Sequence, residues 1–257
     1  MVIAAERRRR IIELIEQQNT ITAKELQKKL NVSTMTVWRD LRELEEEGVL
    51  YRVRGGAVRR KIDPVVEPFF EFKQNLNHDL KSRIAQLAAE KFVSPGESII
   101  LEGGTTISEM IPFLKHTDLT IITNGLGVLN LTRKYASDAT VICSGGILRE
   151  PSRTFVGPQA EGFFRYINAH TFFISGTGIT AKDGITDPSP LEIQVKRAMK
   201  SSAQRTVLMV DSTKFGLRSL SQIIPLTEID HLITDAGAPR DMLDEIEQLG
   251  VKVHIAE

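Results

Sequence analysis

Ser33-Thr34-Met35-Thr36-Val37-Trp38-Arg39-Asp40-Leu41 is the stretch that decides how the rest of the chain is read. Ser33 is a strong N-cap, so a helix begins just after it. Val37, Leu41 and Leu44 recur at helical spacing and mark the face that anchors this helix in a small core. The side chains left over, Thr34, Thr36, Arg39 and Arg42 together with Ser33, are hydroxyls and guanidinium forks. They suit base edges and phosphates in a DNA groove.

Upstream, Ile11, Ile12, Leu14 and Ile15 place an apolar stripe on a first helix running from about Glu6 to Gln17. Thr22 and Glu25 stand at capping-box spacing and start a second helix through Leu26 to Leu30. Asn31-Val32 is a link short enough to turn the chain steeply into the third helix, which makes a helix-turn-helix, with Val32 packed between the helices. The third helix ends near Gly48. Val49 to Arg54 reads as a strand, Gly55-Gly56 as its turn and Ala57-Val58-Arg59 as its return, so the module is winged. Arg52, Arg54, Arg59, Arg60 and Lys61 then project from the hairpin and its exit towards phosphates beside the groove.

The chain as a whole is neutral, with 33 basic and 33 acidic residues. That balance is uneven: residues 1–62 hold 14 basic against 9 acidic, and residues 63–257 hold 19 against 24. A basic module joined to an acidic remainder points to a double-stranded DNA partner for the first part only. Arg7 to Arg10 have two readings at this level, a solvated helix start or direct phosphate contact.

Pro64 and Pro68 break any regular element, and the domain boundary is placed there. The expected organisation is a winged helix-turn-helix over 1–62, a linker over 63–75 and a second domain over 76–257. Glu71 to Phe92 reads as one long helix with Leu80, Ile84, Leu87 and Ala88 on its apolar side and its charges on a wet face. From Ser98 onward short apolar runs alternate with helical stretches. The runs are 98–101, 119–122, 140–143, 171–174, 206–210, 231–233 and 251–255. Such alternation predicts an α/β domain with a mostly parallel sheet covered on both faces.

In open α/β sheets ligands bind beyond the carboxyl ends of the strands. The residues there are rich in donors: Glu102-Gly103-Gly104-Thr105-Thr106 after the first run, Thr123-Asn124-Gly125 after the second, Ser144-Gly145-Gly146 after the third and Asp211-Ser212-Thr213-Lys214 after the fifth. Gly103 and Gly104 let the backbone curl around an anion, Thr105 and Thr106 add hydroxyls, and the helix with core face Ile107, Met110, Ile111 and Leu114 points its free N–H groups at it. Lys214 supplies a mobile cation, and Asp211 can accept from a sugar hydroxyl. Each glycine loop taken alone is equally an ordinary tight turn.

Gly176-Thr177-Gly178-Ile179-Thr180-Ala181 fits a loose dinucleotide fingerprint, but Asp183-Gly184 and Pro188-Ser189-Pro190 predict a loop where that fingerprint needs a helix. The five histidines, His78, His116, His170, His231 and His254, lack ligand spacing, so no metal is expected. Cys143 is single and reads as a small buried hydrophobe in a strand. With no signal peptide and no apolar run of spanning length, no membrane partner and a cytoplasmic protein are expected.

The first 60 residues resemble the DNA-binding domain of the DeoR family of bacterial transcriptional regulators. The arginine-rich first helix, Ser33-x-x-Thr36-Val37-x-Arg39-Asp40-Leu41, Leu44-Glu45-x-x-Gly48 and Arg54-Gly55-Gly56-Ala57 follow that family's pattern in order. Trp38 departs from it, standing where a basic residue is usual, and is either an aromatic contact or a structural side chain. The second region resembles the same family's effector-sensing domain, which shares a fold with ribose-5-phosphate isomerase and glucosamine-6-phosphate deaminase. The matching residues are Gly104-Thr105-Thr106, Thr123-Asn124, Gly145-Gly146, Gly157, Gly178, Gly184, Val195-Lys196 with Met199, Asp211-x-x-Lys214-Phe215 and Thr234-Asp235, and Glu102-Gly103 replaces the usual Asp-Ser. The resemblance implies a repressor of a sugar-catabolic operon that binds operator DNA as a homo-oligomer and responds to a phosphorylated sugar, with no cofactor. The alternative is an isomerase-like or deaminase-like enzyme with an appended DNA-binding domain, in which Glu102, Asp211 and Lys196 move protons.

Overall fold

The computed structural model describes residues 3–18, 20–59, 64, 67–115 and 118–257. The chain falls into two compact units, residues 1–63 with 68–78 and residues 64–67 with 79–257. Arg60, Lys61 and His116 lie outside the described residues.

In the amino-terminal unit, α1 (Ala4–Gln18) buries Ile11, Ile12 and Ile15, and a short strand β1 (Thr20–Thr22) follows. Helix α2 (Ala23–Leu30) opens on a complete capping box: Thr22 Oγ1 accepts from Glu25 N at 3.2 Å, and Glu25 Oε2 accepts from Thr22 N at 2.9 Å. Asn31, at φ 52°, ends α2 and turns the chain. Helix α3 (Thr34–Glu46) starts at Ser33, whose Oγ accepts from Thr36 N at 3.2 Å. Ile11, Ile12, Ile15, Leu26, Val37, Leu41 and Leu44 are buried in one cluster, each worth about 1.5–3 kcal/mol in apolar burial. Val32 packs against the same cluster.

Strands β2 (Leu50–Val53) and β3 (Gly56–Arg59) form the wing hairpin, and β3 also pairs with β1 in an antiparallel order β1-β3-β2. A Cβ on Gly56 would lie 2.1 Å from Ile21 O, so glycine is what lets β1 approach the wing. The single helix expected over 71–92 is instead two, α4 (Phe70–Asn75) and α5 (His78–Phe92). Asn77 at φ 52° breaks them, and Leu76 beside it packs into the amino-terminal core. The stretch expected to be linker up to residue 75 therefore carries a helix, and by contact 68–78 goes with the first unit.

The carboxy-terminal unit runs β4 (Ser98–Leu101), α6 (Thr105–Ser108), β5 (Thr120–Thr123), α7 (Leu126–Tyr135), β6 (Thr140–Cys143), β7 (Ile147–Arg149), β8 (Thr154–Val156) and α8 (Pro158–Phe164). It continues β9 (Ala169–Ile174), β10 (Gly178–Thr180), β11 (Gly184–Asp187), α9 (Pro190–Ser201), β12 (Ala203–Met209), β13 (Ser221–Ile224), β14 (His231–Asp235), α10 (Arg240–Gln248) and β15 (Lys252–Ala256). The seven apolar runs form one sheet, ordered β15-β14-β12-β9-β4-β5-β6, and every neighbouring pair is parallel. Alternate residues go to opposite sides. Ile99, Leu101, Ile121, Phe173, Val207 and Met209 pack under α5, α6 and α7. Ile100, Ile122, Phe172, Ile174, Leu208 and Leu232 pack under α8, α9 and α10. Burial on both faces is why these strands read as unbroken apolar runs.

Several details differ from expectation. The helix after β4 is one four-residue turn, followed by a 3-10 turn over Ile111–Phe113, because Pro112 cannot donate into a longer ladder. Cys143 is half-buried, since β6 is an edge strand with neighbours on one side only. Two small antiparallel sheets, β7-β8 and β10-β11-β13, were not anticipated. The second accounts for Gly176-Thr177-Gly178: a strand follows that loop, as the dinucleotide reading would not allow. His231 Nδ1 and His254 Nε2 lie 3.1 Å apart on β14 and β15, a pairing that sequence spacing conceals. Among the described residues no group of three or more His, Cys, Asp or Glu could hold a metal ion, and no helix is long and apolar enough to cross a membrane.

Candidate functional site

Helix α3 has two faces. Val37, Asp40, Leu41 and Leu44 turn inward and are buried. Met35, Trp38, Arg39 and Arg42, at i, i+3, i+4 and i+7, share the other side. With Ser33, Thr36 and Arg52 they line an open groove of about 630 Å³. Arg39, Arg42 and Arg54 are exposed, with Arg42 Nε 4.0 Å from Glu46 Oε1. The hydroxyls are partly engaged: Ser33 Oγ and Thr36 Oγ1 are 2.9 Å apart, and Thr34 Oγ1 donates to Gln27 Oε1 on α2 at 3.2 Å. Trp38 combines its two readings, for it packs against the core cluster while lining the groove.

Arg52 is also engaged within the module. Its Nε donates to Glu45 Oε2 at 2.5 Å and its backbone N to Glu45 Oε1 at 2.8 Å. The side chain fastens β2 to α3 while staying exposed at the edge of the groove. The open question over the first helix resolves residue by residue. Arg7 is buried and grips Asp40 of α3 with two prongs, Nη2 to Oδ1 at 2.8 Å and Nε to Oδ2. Arg8 reaches Glu43 at 2.5 Å and Glu47 at 3.4 Å, and Arg9 lies 3.3 Å from Glu6 and 3.6 Å from Glu13. Three of the four arginines thus neutralise carboxylates of the module itself, while Arg10, Arg39, Arg42, Arg54 and Arg59 stand exposed.

In the second unit the chain leaves β4 towards β5 and β6 and then returns to β9 on the opposite side. The carboxyl ends of β4 and β9 therefore flank the topological switch point, the place where open α/β sheets bind ligands. A buried charge cluster sits there. Lys196 Nζ, carried in by α9, lies 2.6 Å from Asp187 Oδ2, 3.3 Å from Glu102 Oε2 and 3.0 Å from Ser175 O. Asp187 Oδ1 in turn accepts from Thr177 N at 3.2 Å and Thr177 Oγ1 at 2.6 Å. Burial pushes the Glu102 carboxyl above its ordinary value, with Lys196 pulling the other way. Asp187 and Glu102 together hold Lys196 in its charged form against the cost of burial. Glu102 Oε1 is buried with no hydrogen-bond partner among the described residues and lies where a Cβ on Gly104 would be.

The predicted ligand residues fare unequally around this cluster. Gly103 N donates to Asn124 Oδ1 at 3.1 Å, and Asn124 Nδ2 donates to Phe155 O at 3.1 Å. Asn124 is thus a clamp between loops, and a Cβ on Gly125 would lie 2.5 Å from Gly103 Cα. Thr105 and Thr106 are buried, and Thr105 Oγ1 accepts from Lys81 Nζ at 3.2 Å. Gly145 and Gly146, at φ 65° and 113°, shape the turn into β7. A Cβ on Gly146 would lie 2.7 Å from Val156 O, so its role is close packing. Asp211 is buried and caps the 3-10 turn Ser212–Lys214 by accepting from Thr213 N at 3.1 Å and from Thr213 Oγ1. A backbone cap, not a sugar hydroxyl, occupies that oxygen. Lys214 is half-buried. The strand order also spreads these residues: β6 and β12 are four strand spacings apart, about 19 Å at about 4.8 Å each. Gly103 to Thr106 and Lys196 meet at the switch point, with Lys214 one strand beyond β9.

Sequence reasoning missed Lys81, Asp187 and Glu192. Lys81 was assigned to a wet face, yet it is buried. The signal was available, since residues 81, 84, 85, 88 and 92 share one helical stripe. Glu192 Oε1 accepts from Thr154 Oγ1 at 2.6 Å and from Arg149 Nη1 at 2.8 Å, and Arg149 also holds Glu67 at 2.8 Å. Nothing local marks those partners, because 82 and 43 residues separate them from Arg149.

Two family models match the chain. One, described as a DeoR-like helix-turn-helix domain, covers residues 7–62, and the other, the DeoR C terminal sensor domain, covers residues 76–236. Among curated proteins, the chain is 35% identical over 260 residues to the HTH-type transcriptional regulator GlpR of Haloferax volcanii, covering 98% of each. It is 32% identical over 227 residues to the lactose phosphotransferase system repressor of Staphylococcus epidermidis, covering 88% of this chain and 89% of that one. Among solved structures, a ribose 5-phosphate isomerase A from Methanocaldococcus jannaschii matches with a TM-score of 0.39 and 16% identity, covering 54% of this chain and 55% of the other.

Proposed function

The chain belongs to the DeoR family of transcriptional regulators, and on that premise we propose that it is a cytoplasmic repressor of a sugar-catabolic operon whose hold on operator DNA is set by a phosphorylated sugar. The observation that carries the DNA side is the outer stripe of α3, where Arg39 and Arg42 stand exposed while Arg7, Arg8 and Arg9 of α1 pair with carboxylates of the module. Curated relatives of the chain are regulators and not enzymes. The effector reading is supported by the charged cluster at the switch point, because buried ionisable groups with displaced proton affinities gather where ligands are handled. We assign the effector to the loop 103–106, Lys196 and Lys214.

Two copies presenting their helices to repeated half-sites would give the operator its symmetry. The effector releases DNA only if it binds the DNA-incompetent arrangement more tightly, since equal affinity for both shifts nothing. The direct test is a melting-temperature screen of the full chain against phosphorylated sugars, followed by operator release measured by fluorescence anisotropy. One sugar phosphate is expected to raise the melting temperature and lower operator affinity. Turnover of that sugar, or no response to any of them, would overthrow the sensor.

Two substitutions divide the roles. Arg39→Ala is expected to weaken operator binding by about 1–3 kcal/mol and to relax the base preference at one position, whereas Arg54→Ala should weaken all duplexes alike and make the salt dependence shallower. Lys214→Ala is expected to leave operator affinity unchanged in the absence of sugar phosphate while blunting release. An unaltered response would remove Lys214 from the site.

A further inference from the structure

Met35 is 84% exposed in the first turn of α3. A single exposed apolar residue needs no explanation by itself. Its setting is what matters, for Trp38, Arg39 and Arg42 share its face at i+3, i+4 and i+7, and all four line the same open groove. A helix face that meets only water is filled with charged and polar side chains. This one alternates a thioether and an indole with two guanidinium groups. The inward face holds the fully buried apolar anchor of the helix, in Val37, Leu41 and Leu44, with Trp38 packed in part beside it, so Met35 is not needed for the core.

The amino-terminal turns of a recognition helix are the part that reaches base edges. In the major groove the one strongly apolar feature on those edges is the C5-methyl group of thymine, while guanine offers acceptors that suit arginine. We propose that Met35 is a specificity-determining residue that reads thymine, packing its thioether on the C5-methyl group at one position in each operator half-site with Trp38 behind it. Methionine suits this task because its flexible, polarisable chain adapts to a small convex group. The inference rests on the reading of α3 as the DNA-recognition helix and adds to it a base preference that the arginines cannot supply. It also gives a use to the departure at position 38, where the family's usual basic residue is replaced by an aromatic one.

The experiment uses the full chain and a duplex that it selects from a randomised pool, with affinity read by fluorescence anisotropy at one fixed salt concentration. Each thymine is replaced in turn by deoxyuridine, which removes the methyl group and nothing else. At one position per half-site the affinity is expected to fall about fourfold, the factor for burying one methyl-sized group, and elsewhere to stay unchanged. In Met35→Ala the same replacement should be silent. Because Met35 lies outside the core, that variant should melt with the wild type, which separates lost recognition from lost folding. The proposal is overturned if no single thymine is sensitive, or if Met35→Ala keeps the wild-type sensitivity. Failure to select any duplex would sink the DNA-binding reading itself, an outcome distinct from either.

Discussion

Asp40→Ala is expected to destabilise the amino-terminal unit by about 3–5 kcal/mol, because it leaves the Arg7 guanidinium buried without the carboxylate that grips it. Asp40 is 1% exposed and Arg7 6%, so water cannot replace the lost partner, and α1 loses its buried charged tie to α3 while the more exposed Arg8–Glu43 pair remains. The chain has one tryptophan, Trp38 on α3, so denaturant unfolding followed by its fluorescence reports this unit. The companion variant Arg7→Met with Asp40→Leu should regain most of the loss, since well-packed apolar pairs often match or exceed a buried ion pair. A cost below about 1 kcal/mol for Asp40→Ala would show that the pair behaves as a solvated one and that apolar packing alone seats α3.

The Arg7–Asp40 pair also shows where sequence reading stops. Asp40 and the arginine-rich first helix were both visible, but 33 residues lie between the partners and periodicity carries no information about which charge meets which. The elements themselves were legible wherever one strong local signal acted: the caps at Thr22 and Ser33, the stripe Val37, Leu41 and Leu44, and the seven apolar runs that became the parallel sheet. Strand β1 was not, since three residues between two helices gain their conformation only by pairing with β3. The break at Leu76-Asn77 was hidden because apolar spacing continues across it. At the candidate ligand site the loops after the strands were legible, but the internal contacts of their side chains were not. Asn124, Gly146 and Asp211 were read as ligand contacts, and each also takes part in packing or capping that the sequence did not reveal. Polar residues at a strand end look the same in sequence whether they face a ligand or a neighbouring loop. Asp187 escaped because its strand lies outside the main sheet, and its significance depends on Lys196, brought to it by α9.

That dependence sets the second large effect. Lys196→Met is expected to destabilise the carboxy-terminal unit by about 3–5 kcal/mol, as two buried carboxylates, Glu102 and Asp187, lose the cation between them. Its pH dependence distinguishes this cause from a simple loss of volume. Burial has already raised the Glu102 carboxyl above its ordinary value, and Lys196 is the group that opposes the rise. A carboxyl with a raised folded-state value contributes stability that is fully present below its ordinary range and is lost as pH climbs through the raised value. Without Lys196 that value climbs further, so Lys196→Met should cost more at a pH above the ordinary carboxylate range than at one below it. Glu102→Gln placed on top of Lys196→Met should then restore part of the stability at the higher pH and little at the lower. Glu102→Gln alone should flatten the fall in stability expected of the wild-type unit above the ordinary carboxylate range, since it removes the proton whose loss the burial opposes. If Lys196→Met instead costs the same at both values, the cluster is not the buried, coupled group that the geometry describes, and Lys196 serves as packing beside Val195 and Met199 rather than as the cation that balances Glu102 and Asp187.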